Sequence, residues 1–289
     1  MSSDGTTTVP ELDLDAGLKA LGYEGFRPGQ QRAVETLLAK RHLLYVAPTG
    51  GGKSLVYQLP AVLLPGTTLV VSPLIALMQD QVAALEARGV AATFLASTLP
   101  MEEVDRRVRD AARGKYRLLY VAPERLTSNY FRRLLPSLSC PLVAIDEAHC
   151  ISEWGHDFRP EYMQIGNLLS ALPNARVLAC TATATPIVRD EIVTRLGLGA
   201  EMPQIVHGFA RPNLVLRAAE TVGAKDRELR VDELLQEAIG EPDAATGAAI
   251  VYAPTRAMTE EECVRLSRRG FRVDHYHAGR SGEAREDVQ

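Results

Sequence analysis

The chain has 289 residues, of which 46% are hydrophobic and 24% are charged. These proportions are typical of a globular protein, and the length is that of one large or two modest domains. The net charge of −4 disfavours a protein that holds nucleic acid mainly through a broad basic face, although it permits a narrow groove lined by backbone N–H groups and a few arginines. No apolar run approaches the ~20 residues of a membrane helix, and the N-terminus lacks a signal-peptide core.

The cysteines indicate the redox setting. They are few and far apart, and none forms a CxxC pair: Cys140, Cys150, Cys180 and Cys263. This spacing argues against a zinc site and favours a reducing, intracellular environment.

Apolar strands and amphipathic helices alternate along most of the chain. Residues 1–12 are rich in Ser and Thr and are predicted to be a disordered tail. Strands are then predicted at 43–46, 67–72, 91–95, 117–121, 141–145 and 176–180. Helices are predicted at 13–21, 74–87, 101–113, 130–137, 161–172 and 186–196. Two more are predicted, one that ends at about 39 and one that begins at about 53. This alternation predicts an α/β domain over 13–204, with a parallel sheet covered by helices on both faces.

A second, smaller α/β pattern follows a Gly- and Pro-rich stretch at 197–212 that is typical of a linker. Strands are predicted at 214–218, 248–252 and 272–276, and helices at 226–239 and 258–268. The second domain is therefore predicted to occupy 205–289. Three strands are few for an independent parallel sheet.

The residues around position 50 fit a phosphate-binding loop. The strand at 43–46 runs into Ala47-Pro48-Thr49-Gly50-Gly51-Gly52-Lys53-Ser54, with Ala47 where the strict pattern has its first Gly. The glycines let backbone N–H groups turn toward a phosphate, and the following helix adds partial positive charge. Lys53 is expected to reach the β- and γ-phosphates of a nucleoside triphosphate, and Ser54 to bind Mg²⁺. The alternative is an ordinary glycine turn before a helix.

A carboxylate pair follows the strand at 141–145, in the run Asp146-Glu147-Ala148-His149. The carboxyl end of a parallel strand is where open α/β sheets bind ligands. Asp146 is suited to hold Mg²⁺ through water, and Glu147 to orient and deprotonate an attacking water. The alternative is an acidic turn after a strand.

Together these motifs resemble superfamily 2 helicases of the DEAD/DEAH type, and the neighbouring residues resemble the RecQ family of DNA helicases. The resemblance implies a RecA-like fold, followed by an incomplete second RecA-like lobe, with ATP and Mg²⁺ as cofactors. It makes four residues catalytic: Lys53, Asp146, Glu147 and His149. It also implies 3′ to 5′ translocation on single-stranded DNA, duplex unwinding in DNA repair or recombination, and a cytoplasmic, nucleoid-associated location in a bacterium. Single-strand-binding or recombination proteins are the partners that the family suggests.

Residues 26–30, Phe-Arg-Pro-Gly-Gln, resemble the family's adenine-recognition motif. The resemblance implies that Tyr23, Arg27 and Gln30 contact the base. An amide side chain suits this role because it offers both a donor and an acceptor to the adenine edge. The alternative is a turn and helix start with Gln30 on the surface.

Residues 150–160 resemble the aromatic-rich loop of the family, and Trp154 is the only tryptophan of the chain. Bases stack on aromatic side chains with ~1–3 kcal/mol each and with little sequence preference. Since Trp154, Phe158 and Arg159 follow the catalytic carboxylates directly, the loop could convert DNA occupancy into ATPase activation. The alternative is that Trp154 is a core side chain.

Further segments resemble DNA-contacting or coupling motifs of the family, at the residues Ser72, Thr181, Thr183, Arg256, His277 and Gly279. Taken singly, each also fits a helix start, a strand end or an exposed arginine.

The arginine-finger segment of the family has no counterpart before Gln289, and an arginine finger contributes about 10³–10⁵ in turnover. We therefore expect a truncated chain that binds ATP and Mg²⁺ but hardly hydrolyses ATP. A naturally short, non-catalytic nucleic-acid-binding or regulatory protein, and an ATPase that acts on no nucleic acid, are the alternatives.

Overall fold

The computed structural model describes residues 12–154, 157–199, 201–208, 214–281, 284 and 287–288. The chain divides into two compact units, Met1–Arg211 and Pro212–Gln289, which we call the first and second units. Nearly all of the predicted tail at 1–12, residues 209–212 at the end of the predicted linker, and residue 213 lie outside the described residues.

A seven-stranded sheet organises the first unit. Its strands are β1 (His42–Val46), β2 (Thr68–Val71), β3 (Ala92–Leu95), β4 (Leu118–Val121), β5 (Leu142–Ile145), β6 (Arg176–Thr181) and β7 (Gln204–Val206). They lie in the order β3-β4-β2-β5-β6-β1-β7, and every pair of neighbours is parallel. The first six strands lie within one residue of the predicted bounds, because each is a short apolar run between turn signals.

Eight helices accompany the sheet in the described part of the first unit. They are α1 (Leu14–Ala20), α2 (Gln30–Lys40), α3 (Lys53–Leu63), α4 (Ile75–Glu86), α5 (Met101–Ala112), α6 (Asn129–Leu134), α7 (Ile165–Ala171) and α8 (Pro186–Leu196). The predicted helix at 161–172 begins as a 3₁₀ turn, Pro160–Gln164, and the one at 130–137 ends as another, Leu135–Ser137. A proline lies in each turn and removes a backbone donor that an α-helix would use.

Alternate strand residues enter two separate apolar cores, one on each face of the sheet. In β1, Leu44 and Val46 belong to one core, whereas Leu43 and Tyr45 belong to the other. Helices α5 to α8 supply side chains to the first core and α1 to α4 to the second. This two-faced burial follows from the period of two along a strand, and it confirms the predicted parallel sheet with helices on both faces.

The domain boundary predicted between residues 204 and 205 is wrong, because it cuts through β7. This strand pairs with β1 at the edge of the sheet, with Tyr45 opposite Ile205. Its three residues, of which only Ile205 is buried, are too few for a hydrophobic pattern to mark a strand. The Gly and Pro residues around it therefore predict a linker, although the first unit extends beyond the strand.

The second unit contains α9 (Gly223–Ile239) and α10 (Arg256–Arg268), which correspond to the two predicted helices. Its described residues form no strand at 214–218, 248–252 or 272–276, so these three predictions are wrong. Leu216 and Tyr252 are 93% and 89% exposed. A helix closes its own backbone hydrogen bonds, whereas a strand needs a paired neighbour, which the hydrophobic pattern alone does not provide. No described helix of either unit is long and apolar enough to cross a membrane.

Candidate nucleotide-binding site and adjoining loop

The phosphate-binding loop has the predicted strand–turn–helix form. It begins after β1 and ends where α3 starts at Lys53, and Gly50 and Gly52 have the positive φ angles of 80° and 73° that favour glycine. A Cβ on Gly51 would lie 2.9 Å from the carbonyl oxygen of Pro48. The Lys53 Nζ donates to the carbonyl oxygen of Ala47 at 3.2 Å, across the base of the loop. Thr49 is exposed.

Ser54 lies in the first turn of α3 and shares a side-chain hydrogen bond with Tyr57. Burial raises the pKa of Tyr57 well above its ordinary value, so the phenol stays neutral at physiological pH. The hydroxyl of Ser54 therefore has a fixed neighbour at the helix N-terminus.

The predicted adenine motif contacts the phosphate loop. Gln30 is 2% exposed, so the alternative that it lies on the surface is wrong. Its Oε1 accepts from the Arg27 N–H at 2.7 Å, and its Nε2 donates to the Gly52 carbonyl oxygen at 2.9 Å. The Arg27 Nη1 donates to the Gly50 carbonyl oxygen at 2.5 Å. Both side chains thus tie the motif to the loop, while the Tyr23 ring lies beneath the Arg88 guanidinium, 5.1 Å away.

Asp146 and Lys53 lie at the same edge of the sheet. Asp146 follows β5 and Lys53 follows β1, and the parallel strand β6 lies between these two strands. Burial and the negative charge of Glu147 raise the pKa of Asp146. The nearby positive charge of Lys53 acts in the opposite direction and limits this increase. Glu147 N–H and Cys180 Sγ donate to Asp146 Oδ1 at 3.1 and 3.5 Å. The two motifs therefore converge as the sequence predicts.

Glu147 adopts a backbone conformation that non-glycine residues rarely use, with φ of 47°. Its Oε2 lies 3.3 Å from the Nδ1 of His149, and that nitrogen lies 2.8 Å from Thr181 Oγ1. Thr181 in turn donates its hydroxyl to the Thr183 carbonyl oxygen at 3.1 Å. His149 thereby connects the carboxylate pair to the end of β6, where the predicted coupling residues lie.

The aromatic-rich loop presents its tryptophan to solvent. Trp154 is 78% exposed, so the alternative of a core side chain is wrong, and Phe158 is 38% exposed. Arg159 donates to Asp157 Oδ2 at 3.1 Å and, through Nη1, to the Pro73 carbonyl oxygen at 3.2 Å. Because Pro73 directly follows the buried Ser72, the loop and the segment after β2 lie together.

The base of this loop is held by a residue that sequence reasoning missed, Glu191 of α8. Its carboxylate accepts the Ser152 hydroxyl at 2.5 Å and also the backbone N–H of Glu153. Trp154 N–H donates back to Ser152 Oγ at 3.1 Å. Arg195 contacts both Glu191 and Glu153, at 3.3 and 3.0 Å. In the sequence, Glu191 and Arg195 are an ordinary i, i+4 pair on a helix, which gives no sign of this contact.

In the second unit, the three predicted DNA-contacting residues lie next to one another. Arg256 begins α10, and its Nη1 lies 3.2 Å from where a Cβ on Gly279 would be. Gly279 N–H donates to His277 Nδ1 at 3.1 Å, and His277 Nε2 lies 2.9 Å from Glu260 Oε1.

Known proteins resemble this chain in sequence and in fold. The model of the DEAD/DEAH box helicase family matches residues 27–191, more than half of the chain. The RecQ ATP-dependent DNA helicase of Bacillus subtilis is 43% identical over 270 residues, which are 93% of this chain and 44% of that protein. The RecQ helicase of Pasteurella multocida is 38% identical over 97% of this chain and 43% of its own length. The chain thus spans less than half the length of these relatives.

Two solved helicase structures match the fold at low sequence identity. Mycobacterium smegmatis Lhr bound to single-stranded DNA and AMP-PNP has a TM-score of 0.60 at 20% identity, covering 96% of this chain and 40% of that chain. The helicase MrfA bound to DNA has a TM-score of 0.68 at 18% identity, and the match covers 97% of this chain and 40% of that chain. These likenesses confirm the predicted α/β, RecA-like fold class. The chain belongs to the DEAD/DEAH box helicase family, and its resemblance to the RecQ helicases extends over more than nine-tenths of its length.

Proposed function

We propose that this chain is the ATP-binding part of a RecQ-type DNA helicase, which couples ATP hydrolysis to movement on single-stranded DNA. The observation that carries the proposal is one arrangement in the first unit. The phosphate loop and the Asp146–Glu147 pair share one edge of the sheet, and an exposed Trp154 follows the pair within a few residues. A protein that only binds a nucleotide has no need of such an aromatic loop beside its carboxylates.

Residues of the first unit have a defined task at the ATP site. The backbone N–H groups of the loop and the Lys53 ammonium bind the phosphates, with Lys53 exchanging its contact with Ala47 for a phosphate oxygen. Glu147 orients the attacking water and takes its proton. Arg27 and Gln30, whose contacts hold the loop carbonyls, either keep the loop in shape or turn to the adenine once ATP binds.

The donor set near Lys53 suits Mg²⁺. Asp146 supplies a buried carboxylate and Ser54 a hydroxyl, and hard oxygen ligands of this kind are those that Mg²⁺ prefers. The raised pKa of Asp146 also fits, because a carboxylate that is buried and lies beside the negative charge of Glu147 gains most from a cation. Bound there, Mg²⁺ would neutralise charge on the phosphates.

The route from DNA to the ATP site runs through the loop after His149. A base stacked on Trp154 would shift residues that are hydrogen-bonded to α8 through Glu191 and Ser152. Helix α8 follows Thr181 and Thr183, and Thr181 contacts His149. Arg159, Ser72 and the cluster of Arg256, His277 and Gly279 are proposed to contact DNA phosphates.

The finer assignments rest on the RecQ resemblance. These are 3′ to 5′ movement, duplex unwinding, a part in DNA repair or recombination, and contacts with single-strand-binding or recombination proteins. Action on chromosomal DNA would be in the cytoplasm, near the nucleoid in a bacterium. A second domain over the remaining residues is proposed to close on the first during the ATP cycle.

Binding and turnover measurements test the proposal. A fluorescent ATP analogue with Mg²⁺ should bind the wild-type chain and bind Lys53→Ala much more weakly. Single-stranded DNA should change the fluorescence of Trp154 and raise ATP turnover of the full-length protein. Equal binding by wild type and Lys53→Ala would refute the ATP site. DNA binding without any turnover in the full-length protein would instead favour the non-catalytic alternative, and turnover that DNA does not stimulate would favour an ATPase that acts without nucleic acid.

A further inference from the structure

A histidine, a cysteine and a carboxylate meet between the Asp146–His149 run and the aromatic loop. Cys150 Sγ lies 3.8 Å from His149 Nε2 and 3.8 Å from Asp157 Oδ2. All three potential ligand atoms lie within 4.8 Å of one another. We propose that His149, Cys150 and Asp157 form a binding site for a thiophilic divalent cation such as Zn²⁺.

The distances suit tetrahedral coordination. Typical Zn–S and Zn–N or Zn–O bonds of about 2.3 and 2.1 Å, at a tetrahedral angle, put the sulfur about 3.6 Å from each other ligand. The observed 3.8 Å separations differ from this by only a small side-chain movement. Three protein ligands leave the fourth position for water, and the partly exposed Asp157 gives an ion a path from solvent.

Hydrogen bonds around the site prepare the histidine. Thr181 donates its single hydroxyl hydrogen to Thr183, so it accepts from the Nδ1–H of His149. That tautomer leaves a lone pair on Nε2, the nitrogen nearest Cys150. Metal-ligating histidines commonly donate their other ring N–H in this way. Arg159 fixes the Asp157 carboxylate in the same supporting manner.

Two negative charges face the cation when it binds. Cys150 must lose its thiol proton to solvent, after which one thiolate and one carboxylate oppose the two positive charges of the ion, while Arg159 stays paired with Asp157. Binding therefore releases one proton per cation. The sequence does not indicate this site, because the three ligands do not have CxxC spacing and Asp157 follows Cys150 by seven residues.

A cation at this site would join His149 to the loop that carries Trp154. We expect it to restrain the loop and so to lower the response of ATP turnover to single-stranded DNA. This consequence rests on the proposed function, whereas the binding itself does not.

Titration with Co²⁺, a spectroscopic substitute for Zn²⁺, tests the binding directly. The wild-type chain should develop a thiolate-to-cobalt charge-transfer band, release one proton per ion and show quenched Trp154 fluorescence, and Zn²⁺ should reverse the optical changes. Cys150→Ser should abolish the band. Asp157→Asn, at a partly exposed position that should not disturb folding, should keep the band but weaken Co²⁺ binding about tenfold or more.

The matched control is Cys263→Ser, because Cys263, Asp274 and His275 form another group of metal-ligating side chains, in the second unit. This variant should bind Co²⁺ with the wild-type band and quenching. A wild-type chain without the band, or a band that is lost in Cys263→Ser and kept in Cys150→Ser, would overturn the proposal. Neither result would affect the proposed ATP site, which Lys53→Ala tests separately.

Discussion

Replacement of Glu191 by Gln tests whether the base of the aromatic loop controls DNA binding. The carboxylate accepts from the Ser152 hydroxyl and the Glu153 N–H, and it also contacts Arg195. Glutamine has nearly the same shape, but only its one carbonyl oxygen can accept. Hydrogen bonds to charged groups contribute about 1.5–3 kcal/mol and neutral ones about 0.5–1.5 kcal/mol. We therefore expect the variant to lose about 2 kcal/mol of loop stabilisation.

That loss changes the fraction of molecules whose loop is ready to bind DNA. At about 1.4 kcal/mol per factor of ten, 2 kcal/mol corresponds to about 30-fold. Apparent affinity falls in proportion to the binding-competent fraction, so the Kd for single-stranded DNA should rise by up to about 30-fold. Titration of DNA against Trp154 fluorescence measures this. Binding of the ATP analogue should not change, because Glu191 contacts none of the proposed nucleotide-binding residues in the described structure.

The pH dependence of stability gives an independent reading of the same contact. Its hydrogen bonds hold the pKa of Glu191 below the ordinary value, outweighing the opposing effect of burial. A depressed carboxyl pKa contributes stability above the unfolded-state pKa, and that contribution is lost as the pH falls through the folded-state pKa. Urea unfolding should therefore separate wild type from Glu191→Gln at neutral pH, and the difference should shrink below about pH 4.

The control is Asp190→Asn, which removes an exposed charge from the neighbouring position of α8. It should leave both DNA binding and unfolding close to wild type. If Glu191→Gln binds DNA as tightly as Asp190→Asn, the loop does not depend on this anchor and the coupling route through α8 is refuted.

Three further variants test other parts of the site. Trp154→Ala should weaken single-stranded DNA binding about 5- to 150-fold, the equivalent of ~1–3 kcal/mol of stacking. Its melting temperature should not change, because the side chain is 78% exposed. Anisotropy measures the DNA affinity and a thermal melt the stability, and an affinity equal to that of wild type would contradict a stacking role. Asp146→Asn should raise the Tm of the metal-free chain at neutral pH, since burial and Glu147 disfavour the charged carboxylate, while it weakens Mg²⁺-dependent ATP-analogue binding; a lower Tm would show that the charge is stabilising. Gln30→Ala should weaken binding of inorganic tripolyphosphate several-fold as well as that of ATP, because Gln30 holds the Gly52 carbonyl; an effect confined to ATP would assign Gln30 to the base alone.

The phosphate loop and the carboxylate pair were predictable because each is a short contiguous segment. Gly50 and Gly52 have positive φ angles, a conformation that glycine adopts without the steric cost that other residues meet. The six predicted strands of the first unit likewise follow from local apolar runs, and parallel pairing then brings Lys53 and Asp146 to one edge. The fold class and the meeting of Lys53 and Asp146 at one edge of the sheet therefore follow from local sequence patterns.

The contacts between distant segments were decided by the tertiary structure alone. Gln30 meets the phosphate loop, Glu191 meets Ser152, and Asp157 meets Cys150 only because the packing of helices, strands and loops sets their relative positions. Strand pairing also depends on the tertiary structure. The three-residue strand β7 is too short to be marked by a hydrophobic pattern, yet it pairs with β1. The apolar runs of the second unit remain unpaired in its described residues. Local sequence determines which backbone conformations and faces are favoured, but a hydrogen bond between remote groups depends on where the rest of the chain places its partner.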